Sequence, residues 1–215
     1  MRTERLIAFF GFLAGVLALG MAAIAFSTGT TQEYFESSHP VEEFSQKLIG
    51  QAPMLRLALT LDNFFLLAYG GFFLWYMVER KGKADSWLLT VMGVFLFFAM
   101  VLDAIENFHI LGMLIRAEQH LPLYDDEITV HYILSAVKFM VAYFAVIILG
   151  ITFPRDTVLA RCVGLSTAIL FPILGVLGFT VPMPWSLACG IGRSVFFVVG
   201  FILSGMVYWN RGEAA

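Results

Sequence analysis

Six long apolar segments, separated by short polar stretches, dominate the pattern of the chain. They cover residues 6–26, 54–78, 87–115, 130–151, 158–179 and 185–209. A helix needs about 20 apolar residues to cross a hydrocarbon core of about 30 Å, and each segment is long enough. None of them alternates with the period of two expected of a barrel strand. The pattern predicts an all-α polytopic membrane protein, with residues 1–215 forming one bundle of six transmembrane helices.

The connection over residues 27–53 is polar enough to be a loop outside the membrane, yet it contains a helical pattern. Val41, Phe44, Leu48 and Ile49 recur at helical spacing. Apolar residues on one side of a short polar helix are typical of a helix lying in a membrane interface. We therefore expect a short amphipathic helix on the extracytoplasmic surface, where it could cover the bundle interior.

Small residues and proline mark two of the segments. The first segment contains Gly11 and Gly15 at the G-x-x-x-G spacing that lets two helices approach closely. We interpret this spacing as an internal packing face, with dimerisation as the alternative. Pro172 lies inside the fifth segment and predicts a kink, because proline removes a helical hydrogen bond.

The composition supports a bilayer as the solvent of this chain. Hydrophobic residues make up 60% of it and charged residues 13%, against about 45–50% and about 25% in a typical soluble domain. The net charge is −3 and no basic cluster is present, which argues against a nucleic-acid partner. We expect a multi-pass protein of a bacterial inner membrane or a plasma membrane.

Charged residues in the short connections predict the orientation. If the six segments alternate in direction, the basic residues fall at one end and most loop carboxylates at the other. Cytoplasmic loops carry the excess of Lys and Arg, so both termini should be cytoplasmic. The basic residues in question are Arg2, Arg5, Arg80, Lys81, Lys83, Arg155, Arg161 and Arg211; the acidic ones are Glu33, Glu36, Glu42, Glu43, Glu118, Asp125, Asp126 and Glu127.

Polar residues inside the segments predict a functional site. Ionisable side chains at membrane depth are costly, about 2.5–3.5 kcal/mol by insertion measurements, and usually mark function. Because a helix turns by about 100° per residue, these side chains fall on one face of each helix. Their predicted depth is in the outer half of the membrane or near its middle. We expect these faces to converge on one polar pocket, with Lys138 paired to Asp103 or Glu106. The predicted ligand-binding residues are Asp62, Asn63, Tyr69, Asp103, Glu106, Asn107, Ser135, Lys138 and Arg193.

Two histidines raise the alternative of a metal centre. Glu106 and His109 have the E-x-x-H spacing of carboxylate metal bundles. His131 begins the next segment and should lie at a similar depth. Glu106, His109 and His131 could hold a divalent metal, Zn or Fe, with one position open. Haem b bound by the two imidazoles is a further alternative, although it does not explain the carboxylates.

Three functions fit this pattern. The first is a transporter or channel that binds a proton, a metal cation or a small polar head group in an outward-facing intramembrane pocket. The second is a membrane-embedded, metal-dependent enzyme acting on a lipophilic substrate. The third is a non-catalytic subunit of a larger membrane complex, whose ion pairs only specify helix packing. A transporter with six helices should assemble as a homo-oligomer, and the expected partners are the lipid bilayer and a small cation or lipophilic ligand.

Overall fold

A computed structural model of the chain describes residues 2–37, 39–181 and 184–214. It is nearly all helical, and six of its helical stretches are long and apolar enough to cross a membrane. The predicted six-helix membrane architecture is therefore confirmed, with each span extending a few residues beyond its apolar segment. The helices are α1 (Thr3–Thr28), α2 (Gln32–Phe35), α3 (Val41–Gly50), α4 (Ala52–Arg80), α5 (Ser86–Glu118), α6 (Asp125–Thr152), α7 (Val158–Leu165), α8 (Phe171–Thr180) and α9 (Trp185–Ala214).

Successive spans run in opposite directions, so the bundle has two chemically different ends. Helix α1 packs against α4 and α9, and α5 packs against α6. At one end Arg56 of α4 pairs with Glu118 of α5. At the other end the Tyr76 hydroxyl of α4 lies 2.8 Å from the Thr152 hydroxyl of α6. We name these the acidic end, which holds α3 and the α5–α6 connection, and the basic end, which holds Arg80, Arg155 and Arg211.

Large apolar side chains cover the outside of the bundle. Phe9, Phe64, Phe97, Phe144 and Val195, on five of the spans, are each more than half exposed. A water-soluble protein rarely exposes such a continuous apolar surface. This surface is what lipid chains would cover, so the exterior and the hydropathy of the spans agree.

Two large hydrophobic clusters lie inside the bundle, one near each end. Near the basic end Phe72, Tyr76, Phe153 and Tyr208 pack together with α1 and α5. Near the acidic end the second cluster contains Phe35 and residues of α3, which pack on the ends of α4 and α5. Between these two clusters a layer of polar side chains lies among α4, α5 and α6, while a third cluster, Ala14, Ala18, Phe65 and Ala68, packs α1 against α4. Helices α2 and α3 thus close the acidic end over this polar layer.

The α1–α9 contact explains the small residues of the first span. A Cβ atom on Gly11 would lie 3.1 Å from the Phe201 carbonyl oxygen and 3.2 Å from the Gly205 Cα of α9. One on Gly15 would overlap the side chain of Ile202. The packing interpretation of the G-x-x-x-G spacing is confirmed at these two positions.

The fifth span is interrupted immediately before its proline. Residues Ser166–Leu170 form one π-helical turn between α7 and α8, and the Phe171 amide donates to the Ser166 carbonyl. Because Pro172 has no N–H group, the carbonyl of Ala168 loses its helical partner, and a π turn is a common local adjustment to such a loss. The irregularity falls where the sequence predicts a kink.

Candidate functional site

The α5–α6 hairpin supplies the centre of the polar layer. Asp103, Glu106 and Asn107 occupy one face of α5 because residues three and four apart share a helix face. Ser135 and Lys138 occupy the facing side of α6. Glu106 and Ser135 are fully buried, and Lys138 is 5% exposed. The predicted convergence of these two faces is what the structure shows.

Lys138 is the central cation. Its ammonium group contacts Glu106 Oε2, lies 3.1 Å from Asp103 Oδ1 and lies 3.4 Å from Glu36 Oε1. The Ser135 hydroxyl donates to Glu106 Oε1. One buried lysine therefore binds three carboxylates, two from α5 and one from the residue after α2, and both predicted partners, Asp103 and Glu106, are among them.

Helix α4 adds a second, amide-rich half to the site. Asn107 donates from Nδ2 to Asp62 Oδ2 at 2.6 Å, and its Oδ1 accepts from Gln32 Nε2 at 2.7 Å. A longer contact of 3.4 Å joins Asn107 Nδ2 to Asn63 Oδ1. The Tyr69 hydroxyl donates to Asp103 Oδ2 at 3.1 Å. Asp62 thus accepts hydrogen bonds from amide groups, whereas Asp103 and Glu106 contact the ammonium group of Lys138.

Two site residues, Gln32 and Glu36, come from the connection and not from a span. Gln32 lies on α2 and Glu36 directly follows it; both contact the polar layer, and Glu36 is only 6% exposed. From the sequence, Glu36 is expected only as a loop charge that indicates orientation. Residues 31–36 read T-Q-E-Y-F-E, in which Thr31 is a typical N-cap, and the Thr31 side chain does accept from the Tyr34 amide. That signal predicts a helix start but not what the helix covers.

The outer face of α2 is attached to α3 by polar and aromatic contacts. The Tyr34 ring stacks on His39 at 3.9 Å between ring centroids, and Lys47 Nζ lies 3.7 Å from the Tyr34 ring centroid. The Tyr34 hydroxyl donates to Glu43 Oε1 at 2.7 Å. Partial burial, together with the hydrogen bond and the charge of Glu43, raises the pKa of Tyr34 to about 12. This hydroxyl therefore stays a donor well above neutral pH.

The two histidines form a pair beside the site. His109 Nδ1 and His131 Nδ1 are 3.0 Å apart, and His109 Nε2 lies 3.9 Å from Glu127 Oε1. Glu127 also binds Arg116 at 2.7 Å. His131 Nε2 is buried and has no hydrogen-bond partner among the described residues. The predicted proximity of the two imidazoles is present in the structure.

The predicted metal set is not assembled around these imidazoles. Glu106 directs its two oxygens to Ser135 and Lys138. Across residues 2–37, 39–181 and 184–214 no three His, Cys, Asp or Glu side chains are grouped so that they could hold a metal ion. The direct contact between His109 and His131 also leaves no space for a haem iron between the two rings. The donor arrangement therefore fits neither group, and we derive no chemistry through them.

Arg193 lies at the edge of the site, across an aromatic ring. Its guanidinium carbon is 4.3 Å from the ring centroid of Phe139 and 5.5 Å from that of Phe179. Lys138 Nζ lies 4.5 Å from the same Phe139 ring. The structure thus brings the other eight predicted ligand-binding residues into the polar layer and places Arg193 beside it.

A separate polar cluster, which is not among the predicted site residues, lies at the basic end. Glu79 is 7% exposed and pairs with Lys83 at 2.6 Å and with Arg211 at 3.7 Å. Arg211 also binds Asp156 at 3.1 Å. These pairs join the ends of α4 and α9 to the α6–α7 connection, so they serve the closure of the bundle.

No protein-family model, curated protein or solved structure matches this chain.

Proposed function

We propose that this integral membrane protein binds and releases protons or a small cation at the site around Lys138, as a transporter does. The observation that carries the proposal is the charge balance of the buried site. Four carboxylates, from Glu36, Asp62, Asp103 and Glu106, accompany two basic side chains, Lys138 and Arg193. Two negative charges therefore remain. In a low-dielectric interior such charges have to be neutralised by protons or by a bound cation.

The location of the site supports exchange with one side of the membrane. Asp62, Asp103 and Glu106 lie between the two large hydrophobic clusters, and α2 together with Glu36 separates them from the acidic end. A movement of α2 would withdraw one carboxylate from Lys138 and open a polar path outward. A site covered in this way suits alternating exposure better than an open pore.

The alternatives receive less support from the geometry. A metal-dependent enzyme needs about three protein ligands, and the described residues do not provide that arrangement. A purely structural role for the ion pairs is the remaining competitor, because buried pairs can specify helix packing. The structural role predicts that neutralising a carboxylate changes the stability of the bundle and has no effect on ion movement.

Flux measurements on reconstituted protein distinguish transport from a purely structural role of the ion pairs. Proteoliposomes would carry a pH-sensitive dye inside, and pulses of Na⁺, K⁺ or acid would be applied outside. We expect cation-dependent proton movement with the unmodified chain and at least a tenfold loss with Asp103→Asn or Glu106→Gln. Glu42→Gln is the matched control, because Glu42 is exposed on α3 and loses the same charge.

Thermal unfolding of the same variants completes the test. Loss of flux in folded Asp103→Asn or Glu106→Gln supports transport. Flux that survives both substitutions, with only the unfolding temperature changed, would exclude the proposal and leave the structural role.

A further inference from the structure

A groove opens at the basic end of the bundle, about three helical turns along α6 from Lys138. The space between its walls, including the part open to solvent, is about 300 Å³. Its walls come from the end of α6, the α6–α7 connection and α7. The lining residues include Gly150, Phe153, Arg155, Ala160, Arg161 and Leu165.

Neither arginine of this groove forms an ion pair within the described residues. Arg155 donates one long hydrogen bond of 3.4 Å to the Ile151 carbonyl, and within the described residues it has no ion pair. The Arg161 guanidinium has no hydrogen-bond or ion-pair partner in the same part of the chain. The nearby carboxylate of Asp156 binds Arg211 instead. Two guanidinium groups thus flank one groove, and most of their N–H donors have no partner among the described residues.

The rest of the groove is apolar and shaped by two glycines. A Cβ on Gly150 would lie 2.5 Å from the Gly164 carbonyl oxygen, so α6 and α7 approach closely at this point. Phe153 and Ala160 are buried beside it, whereas Leu165 is 56% exposed on the outer surface. The groove therefore joins a cationic rim at the helix ends to an apolar surface along the spans.

We propose that this groove binds the head group of an anionic phospholipid, with Arg155 and Arg161 holding the phosphate. A guanidinium group donates two parallel hydrogen bonds to phosphate oxygens, and basic pockets between membrane helices bind anionic head groups. The apolar wall suits the start of an acyl chain, which a free phosphate ion does not have. The proposal is independent of the function assigned to the Lys138 site.

Native mass spectrometry of the detergent-solubilised chain tests the proposal. The probes are phosphatidylglycerol, phosphatidylcholine with the same acyl chains, and inorganic phosphate. We expect phosphatidylglycerol to bind on the order of tenfold more tightly than phosphatidylcholine, since each basic contact to an anionic lipid contributes about 1 kcal/mol. The Arg155→Gln/Arg161→Gln variant should lose this preference.

A control variant with the same charge loss separates the groove from general attraction. Arg2 and Lys81 are exposed at the same end but outside the groove, so Arg2→Gln/Lys81→Gln should keep the preference. Arg155→Lys/Arg161→Lys should keep only part of it, because lysine lacks the planar fork. An equal loss in the control variant would overturn the proposal, and so would inorganic phosphate that displaces phosphatidylglycerol at equal concentration.

Discussion

At the scale of single residues, Lys138 is a buried cation surrounded by carboxylates. Moving an ammonium group out of water costs several kcal/mol, and this cost is offset only when opposite charges surround it. Lys138 has three carboxylates within 4 Å. Removing the lysine would leave those carboxylates buried without their cation. This costs more stability than removing the lysine and its carboxylate partners together.

The first prediction concerns this imbalance. Lys138→Met should lower the free energy of unfolding by about 3–5 kcal/mol, the usual cost of leaving one partner of a buried pair alone. Lys138→Met combined with Glu106→Gln should recover part of that loss, since a carboxylate is removed together with its partner. Thermal or denaturant unfolding in detergent measures both. Equal stability of the single and double variants would contradict the assignment of Glu106 as the close partner.

The second prediction concerns Tyr34 on the outer face of α2. Its pKa is raised from 10.0 to about 12, so any stabilisation linked to its proton is complete below pH 10 and is lost as the pH rises through 12. The tyrosinate absorbance of the unmodified chain minus that of Tyr34→Phe should titrate with a midpoint near 12. A midpoint near 10 would show that the hydrogen bond to Glu43 does not persist in solution.

Residue-level prediction from the sequence succeeded where helix periodicity applies. The shared faces of α5 and α6 follow from the spacing of Asp103, Glu106, Ser135 and Lys138 along regular helices. Glu36 could not be found this way, because its burial depends on how a connection folds back over the bundle. That contact is set by tertiary packing, and the sequence of the connection carries no periodic trace of it.

At the scale of elements, α2 acts as a cover that apolar contacts hold in place. Phe35 is fully buried and packs edge-to-face on Phe44 of α3, with ring centroids 5.5 Å apart. The polar contacts of Gln32 and Glu36 with the site therefore rest on an aromatic anchor. A four-residue helix would not be stable alone, since short helices depend on packing.

The third prediction tests this anchor. Phe35→Ala should cost about 3–5 kcal/mol of local stability, as expected for a buried aromatic ring. Hydrogen–deuterium exchange should rise in α2 and α3 and stay unchanged in α9. Phe108→Ala is the matched control, because Phe108 is 66% exposed on the outer face of α5. Unchanged exchange in α2 would mean that the cover is held by its polar contacts instead.

The fourth prediction concerns the α1–α9 contact. Gly11→Ala should destabilise the bundle by about 1–3 kcal/mol, because the added methyl group meets the α9 backbone and forces the helices apart. Gly112→Ala on α5 should be neutral or stabilising by up to about 1 kcal/mol, since nothing lies within 4 Å of its Cβ position and alanine favours helix. The unfolding temperatures of the two variants give the comparison. A similar loss for both would indicate that Gly11 is not in a close contact.

At the scale of the whole molecule, the bundle was predictable because lipid imposes few solutions. Every backbone polar group in a span must be bonded internally, so long apolar segments have to be helices. The pairing of α1 with α4 and α9 was not predictable, because helices that are apolar on all sides do not show from sequence which face meets which neighbour. The π-helical turn at Ser166–Leu170 was indicated only by Pro172.

The fifth prediction is the orientation of the molecule in its membrane. The basic end carries Arg80, Lys81, Arg155 and Arg161 close to the helix ends, and such residues are retained on the cytoplasmic side during insertion. At residue 215, therefore, only a reporter enzyme that works in the cytoplasm should be active. After Gln119, only a reporter enzyme that works on the extracytoplasmic side should be active. The same orientation would place the arginine groove in the cytoplasmic leaflet, where a surplus of anionic lipid attracts basic side chains. It would also make the α2 cover face outward, so the Lys138 site would exchange first with the extracytoplasmic solution. Cytoplasmic activity of the reporter at Gln119 would mean that the molecule has the opposite orientation. The arginine groove would then lie in the outer leaflet and the Lys138 site would face the cytoplasm, because the two sites lie toward opposite ends of one bundle.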